Sequence, residues 1–477
     1  MPNAPVITPV WRRFRPILGL SVLAVLACGQ TAAVGDKPRS EADQATVPAL
    51  ARPAVATPDP ARAQVVGPLY STSNLKRFFD ALAALDDGKA SEDVRVVQYG
   101  DSHTAADFET GAIRRLLQAR FGDGGRGFVA VGKPWKTYLQ EGLKQPGMTR
   151  EWSAELVHVD KTKPAGDGCY GIGGVCLETA KKARAWAEVT SVASRVEVAY
   201  WEQPRGGGFE LWVDGARAAK IATAADKSSS AFKSFDVAEG PHSLEVKTAG
   251  DGDVRLFGVA LDRAKNGLVY DALGINGARV TTALAWNEPH MAEQLAHRKP
   301  DLVVLAYGTN ESFDDTPIAT YERQIVDLLG RIARAVPTAS CLLMGPPDRA
   351  VDTKDGWMSS PRVRELADAQ RRVAEAAGCA FFDQQEAMGG AGTAITWFEE
   401  PEPRMAKDHV HLTRGGYGQL GGAFANEVLR AYTSWRADKG LAPIAAPPPA
   451  TAPTTVRTPP RDDGEPIRPA PFVAVPM

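Results

Sequence analysis

The sequence predicts an α/β protein, a mostly parallel sheet covered by helices, interrupted by an inserted all-β domain. Three observations predict it. Short apolar runs alternate with helical stretches near residue 94 and again after residue 267. The stretch from 155 to 263 instead carries several short strands separated by Gly, Pro and Asp turns, with almost no helix among them. Both ends of the 477-residue chain lose apolar periodicity. At that length, two folded domains plus tails are expected.

Arg12, Arg13 and Arg15 precede an apolar run from Ile17 to Ala27, about the length of a signal-peptide h-region. The run ends Val25-Leu26-Ala27-Cys28, which resembles a bacterial lipobox with Cys28 lipidated after cleavage. Ordinary signal cleavage and an uncleaved anchor are the alternatives. All three place the body outside the cytoplasm, in the periplasm or cell envelope or secreted. Residues 1–28 are thus expected to be a leader, and 29–66, rich in Ala, Pro, Thr and charge, a disordered tether. No later segment reaches about 18 uncharged apolar residues, so membrane attachment is expected only through the N-terminus.

In the first part of the α/β domain, 67–154, Val94 to Tyr99 reads as a strand bounded by Gly100, and Asp107 to Phe121 as a helix. The insert, 155–263, contributes Val196–Trp201, Phe209–Val213, Phe232–Val237, Ser243–Val246 and Val254–Leu261, which suggest a β-sandwich. Thr179 to Ala187 is either a short helix or a charged strand. The second part, 264–438, alternates strands at Leu268–Leu273, Leu302–Tyr307, Cys341–Met344 and Ala380–Phe382 with helices at Ile318–Ala335 and Val363–Ala377. Residues 439–477 form a Pro-rich tail expected to be disordered, and no internal repeat is visible.

Composition excludes some functions. The 55 basic and 57 acidic side chains leave a net charge of -2, so no global field favours nucleic acid. Cys169 and Cys176 flank a Gly-rich stretch and could close a small loop disulfide. Cys341 and Cys379 sit in apolar runs and read as buried thiols. Zinc fits the first pair poorly, because no CxxC spacing or His-rich partner accompanies it.

Three motifs carry chemistry. Gly100-Asp101-Ser102-His103 follows the first strand and precedes a helix, which places Ser102 where open α/β sheets bind ligands. As a favoured N-cap, Ser102 could equally be only a cap. Gly308-Thr309-Asn310-Glu311 ends the strand 302–307, where the Asn310 amide can serve an oxyanion if the two strands are neighbours. A left-handed turn is the plainer role for that asparagine. Asp408-His409-Val410-His411 offers a base: the i, i+3 spacing lets Asp408 hold His411 toward the serine. His409 is the rival base, less comfortably paired because it adjoins Asp408. Only seven histidines occur, and the others lack a carboxylate at this spacing in a comparable loop. A metal at the His-x-His pair lacks further nearby ligands.

Together these motifs resemble the SGNH (GDSL-type) hydrolase family, whose four blocks contribute Ser, Gly, Asn and His in this order. His103 stands where the GDSL signature has Leu, and Glu311 where many members have Asp. The second block looks like Gly274-Ile275-Asn276-Gly277-Ala278, with Gly277 the better match to the oxyanion glycine and Gly274 the fallback. The resemblance covers about 70–150 and 265–436. It implies a flavodoxin-like three-layer fold, a Ser102–His411–Asp408 triad, and an oxyanion hole from the Ser102 and Gly277 N–H groups and the Asn310 side chain, with no cofactor and no metal.

A closer likeness, including the Phe121–Phe128 segment, is to extracytoplasmic peptidoglycan O-acetylesterases with a carbohydrate-binding-like β insert. That branch implies an O-acetylated glycan as substrate, released through an acyl-enzyme. Trp201, Phe209 and Trp212 of the insert could stack on sugars, or form its core. An O-acetyltransferase, an esterase of another extracellular polysaccharide and a non-catalytic glycan-binding lipoprotein are the rival readings. A lipase is less favoured, because no long apolar lid is visible.

Overall fold

The computed structural model describes residues 67–157 and 166–442. The expected leader with Cys28, the tether 29–66 and the tail beyond 442 lie outside the described residues. No described helix is long and apolar enough to cross a membrane.

The first sheet has six strands in the order Leu69–Tyr70, Ala380–Phe382, Ser340–Met344, Leu302–Ala306, Val94–Gly100, Leu268–Gly274. All neighbours are parallel except the first pair. The side-chain period of two divides each apolar run between opposite faces. Val97, Tyr99, Val303, Leu305, Leu343 and Phe381 join one core with the helices Ile318–Ala335 and Pro361–Ala377. Val94, Val96, Leu302, Val304, Leu342 and Phe382 join the other with Lys76–Asp86, Glu109–Phe121 and Arg414–Asp438. Three layers result, as the family resemblance implies.

The helices follow local rules. Ile318–Ala335 buries Tyr321, Ile325, Leu328, Leu329 and Ile332, a single stripe facing the sheet. Pro361 occupies the first turn of its helix, where a missing N–H costs nothing, and Gly378 ends that helix at φ 72°.

The second sheet is antiparallel, with nine strands. It begins at Gly125, ahead of the expected boundary at 155, because Gly125–Val129, Leu143–Met148 and Ser153–Leu156 pair into it. These strands are short, and positive φ at Gly125 and Gly127 interrupts any alternation that would reveal the first of them. Arg184–Glu202 and Ser229–Thr248 are each far longer than the expected strands. Ser229–Thr248 merges 232–237 with 243–246 across register shifts between Asp236 and His242. The segment 179–187 contains no helix: it holds the end of one strand at Thr179, a bend, and the start of the next at Arg184. One core gathers Val129, Leu177, Val198, Phe209, Leu211, Val246 and Leu256, almost all supplied by the sheet itself. All nine strands are hydrogen-bonded into one sheet whose inner-facing side chains form this core. Gly125 and Asp262, its first and last residues, are cross-strand partners.

The two sheets share a core. Phe128, Phe257 and Ala260 pack with Leu273, Trp286 and Leu295. A buried charge knot joins them: Arg298 donates to Asp271 at 2.7 Å and to Asp262 at 2.9 Å, while Asp271 also accepts the Phe128 N–H at 2.7 Å. All three charged side chains are buried.

Cysteine pairing differs from expectation. Cys341 and Cys379 are disulfide-bonded, because Cys341 lies in one strand and Cys379 immediately precedes its parallel neighbour, which brings their Cα atoms to 4.8 Å. Cys169 and Cys176 are free. Cys176 is fixed in a strand with its thiol toward Glu178, and the Cys169 thiol turns to the Asp167 carbonyl.

Replacing Arg298 with Met strands two buried carboxylates and should destabilise the protein by about 3–5 kcal/mol in chemical denaturation. A loss below about 1 kcal/mol would show that the knot contributes little.

Candidate active site

The strand Val94–Gly100 delivers the serine. A Cβ at Gly100 would strike Thr104 and approach the Ala306 carbonyl at 2.8 Å, so the turn Ser102–Ala105 packs directly on the strand end. Asp101 caps that turn, accepting the His103 N–H at 2.9 Å. The cap is thus Asp101, and the Ser102 hydroxyl is left for other work. Burial pushes the Asp101 carboxyl up to about 6, against its hydrogen bonds from His103 and Thr309.

Ser102 Oγ lies 2.8 Å from His411 Nε2, and His411 Nδ1 lies 2.7 Å from Asp408 Oδ2. The other Asp408 oxygen accepts the backbone N–H groups of Val410 and His411 at 3.0 and 2.9 Å. Burial opposes protonation of His411, yet the hydrogen bond and charge of Asp408, with the charge of Asp101, raise its pKa above the ordinary 6.5. Burial likewise opposes ionisation of Asp408, but its hydrogen bonds hold its pKa well below the usual carboxylate range. The pair can therefore accept the serine proton and stabilise the resulting imidazolium.

His409 is not a second base. Its φ of 54° turns it inward, where its ring stacks on Trp357 at 3.9 Å and lies 4.3 Å from Phe398. It is 2% exposed and anchors the loop that presents His411. Among the described residues no group of three or more His, Cys, Asp or Glu is placed to hold a metal.

The residues expected to serve the oxyanion gather at the ends of three adjacent strands, Ser102 after the central one and Gly277 and Asn310 after its two neighbours. Gly277 has φ 78°, and neither its N–H nor that of Ser102 has a hydrogen-bond partner among the described residues. Gly274 serves packing instead: a Cβ there would collide with the backbone of Thr104 and Ala105. Asn310 spends one amide hydrogen on the Ala278 carbonyl at 2.9 Å, which fixes the amide and leaves its second hydrogen.

Two further residues set this geometry. Glu311 accepts the Val280 N–H at 2.8 Å and the Gly308 N–H at 3.0 Å, joining both loops. Burial pushes its carboxyl up to about 7. Arg279 donates to the Gly277 and Asn310 carbonyls, each at 3.3 Å, while Asp314 holds its guanidinium. Sequence reasoning missed Arg279, because its partners at Asn310 and Asp314 are remote in the chain. It also gave His103 no role. That ring is buried, hydrogen-bonded to Tyr417 Oη at 2.9 Å, and centred 5.2 Å from His411. Burial and neighbouring His411 push its pKa down to about 3, so it adds no charge beside the base.

Neither expected sugar-stacking tryptophan is a free platform. Trp201 packs edge-on to Phe257 and His290 where the two sheets meet, and Trp212 carries the Lys247 ammonium 3.7 Å above its ring. Phe209 belongs to the core of the second sheet.

Residues 237–419 match the model of the GDSL-like lipase/acylhydrolase family. The match includes Gly277, Asn310, Asp408 and His411, while Ser102 precedes it. A solved peptidoglycan O-acetylesterase is similar over 77% of this chain and 100% of its own, at 26% identity and a TM-score of 0.64. A salicylyl-acyltransferase of a tetracycline biosynthetic pathway aligns over 64% of this chain and 97% of its own, at 14% identity and a TM-score of 0.28. A family two carbohydrate esterase from Clostridium thermocellum aligns over 62% and 100%, at 12% and 0.26. No curated protein matches the chain in sequence.

Two outcomes follow from the geometry. Asn310→Ala should lower kcat about a hundredfold on a small aryl acetate with little change in KM, as expected for one oxyanion donor; a pure KM effect would make it a substrate-positioning group. His411 must be neutral to act, so kcat/KM should fall as pH drops through its raised pKa. Asp408→Asn removes the Asp408 charge that helps to raise it, and should move that acid limb to lower pH while cutting kcat on the order of a thousandfold or more.

Proposed function

We propose, from the match of residues 237–419 to the GDSL-like lipase/acylhydrolase family and the resemblance to SGNH hydrolases, that this chain removes O-acetyl groups from cell-wall glycan through an acyl-enzyme. The observation that carries the reading is the aligned Ser102–His411–Asp408 triad, at 2.8 and 2.7 Å, on a fold of which 77% is similar to the whole of a peptidoglycan O-acetylesterase. His411 takes the Ser102 proton as Oγ attacks the acetyl carbonyl. The Ser102 and Gly277 N–H groups and the Asn310 amide then hold the oxyanion, each worth about 3 kcal/mol. His411 returns the proton to the departing sugar hydroxyl, and the same base activates water to release acetate. An open site supports water as acceptor: the His411 side chain is 41% and that of Asp408 51% exposed.

The enzyme is proposed to work outside the cytoplasm, as an exported or lipid-anchored protein. The apolar run before Cys28 supports this, as does the Cys341–Cys379 disulfide, a bond suited to an oxidising compartment.

Purified protein incubated with O-acetylated peptidoglycan should release acetate, and Ser102→Ala should abolish the release. Acetate from other acetylated polysaccharides but not from peptidoglycan would redirect the substrate. Acetyl gained by an added glycan, in place of free acetate, would make it a transferase. No turnover of any acetyl ester would leave glycan binding as its role.

A further inference from the structure

A cleft of about 310 Å³ opens beside the triad, between the two sheets. One wall is Ala106, Asp107 and Phe108, which follow the Ser102 turn, together with Arg115, Arg414 and Gly418. The other is residues 139–144 with Thr190, supplied by the second sheet and the loop leading into it. The cleft adjoins the chemistry. Arg414 lies three residues beyond His411. Tyr417 joins the two places, hydrogen-bonded to His103 and packed on Phe108 with ring centroids 6.0 Å apart.

The cleft is built rather than incidental. Asp107 is buried at φ 50° and accepts from Arg114 at 3.0 Å, Arg126 at 2.7 Å and the Glu141 N–H at 2.8 Å. One carboxylate thus pins the turn after Ser102 to the opposite wall. The Thr190 N–H closes that wall on the Gly142 carbonyl at 2.7 Å.

Its lining carries Arg115, Lys144 and Arg414 against Asp107 and Glu141, with Glu188 opposite Lys144 on the neighbouring strand, and Asp107 is already neutralised by the buried Arg114 and Arg126. Arg115 is paired with Glu141. Arg414 and Lys144 are exposed and have no ion-pair partner among the described residues, and the Arg414 guanidinium rests 4.3 Å above the Phe108 ring. A neutral sugar has no use for surplus cations, whereas a carboxylate gains charge-assisted hydrogen bonds from them.

We propose that this cleft binds a carboxylate carried by the glycan next to the sugar whose ester Ser102 attacks, so that the enzyme selects acidic glycans. The inference rests on the reading of the substrate as a glycan.

Binding to the Ser102→Ala protein separates the two ideas, because it needs no turnover. The probes are a peptidoglycan disaccharide-peptide stripped of O-acetyl groups and a uronic-acid oligosaccharide, each native and with its carboxyls amidated. The native form of at least one should bind about tenfold tighter than its amidated form, a difference of about 1.4 kcal/mol, and the tighter pair identifies the source of the carboxylate. Adding Arg414→Gln and Lys144→Gln should erase the difference, whereas Arg414→Lys alone, which keeps the charge, should retain it. Equal binding of native and amidated forms, or no binding of any probe, overturns the inference even if acetate release from glycan succeeds. Charge-selective binding without acetate release overturns the esterase reading and leaves the cleft assigned.

Discussion

The site depends on one ladder: Val94–Gly100 held in parallel register between two neighbours, with Gly100 aligned to Gly274 on one side and to Ala306 on the other. Because the three strands end level, a few residues of loop suffice to bring Ser102, Gly277 and Asn310 to one place. The close approach has a steric condition. The Ser102–Ala105 turn lies against Gly100 and Gly274, and side chains at either would push the nucleophile away from its donors. Glu311 and Arg279 then couple the flanking loops to each other, so Gly277 and Asn310 are positioned as a pair. In the proposed reaction such fixed dipoles need not reorganise when charge develops.

The base arrives by other means. Asp408–His411 follows no strand of the first sheet; it sits in a loop closed by a bridge between Met405 and Leu412. Order there comes from opposed neighbours. His409 is wedged between Trp357 and Phe398, while Asp408 satisfies two backbone N–H groups and the imidazole with one carboxylate. The inward and outward histidines are thus two halves of one device, since the first fixes the backbone from which the second projects.

Sequence made the buried parallel strands and the Asp408–His411 pair legible for a shared physical reason: both are local. A buried strand is an apolar run, and Asp408 and His411 are one turn apart. What stayed hidden depends on remote partners. Arg298, Arg279 and Asp107 look like ordinary charges until folding places their counterions. The cysteines misled because the short loop between Cys169 and Cys176 suggested closure, whereas adjacent parallel strands bring Cys341 to Cys379 across an intervening helix. Long bent strands were read as several short ones because their bulges resemble turns. Trp201 and Trp212 show that an aromatic in a strand pattern does not disclose whether a sugar, a cation or another domain covers it.

Gly125 and Asp262, the ends of the second sheet, lie opposite each other on adjacent strands. The whole nine-stranded unit therefore leaves and rejoins the first sheet at a single doorway, as the two arms of a hairpin would. Its length is topologically free: it could be trimmed, enlarged or exchanged without rethreading the layer that performs the chemistry. The limit on such remodelling is electrostatic. Any replacement inherits a seam at which Arg298 and Asp271 are already paired, and must supply what Asp262 and the Phe128 N–H now give them.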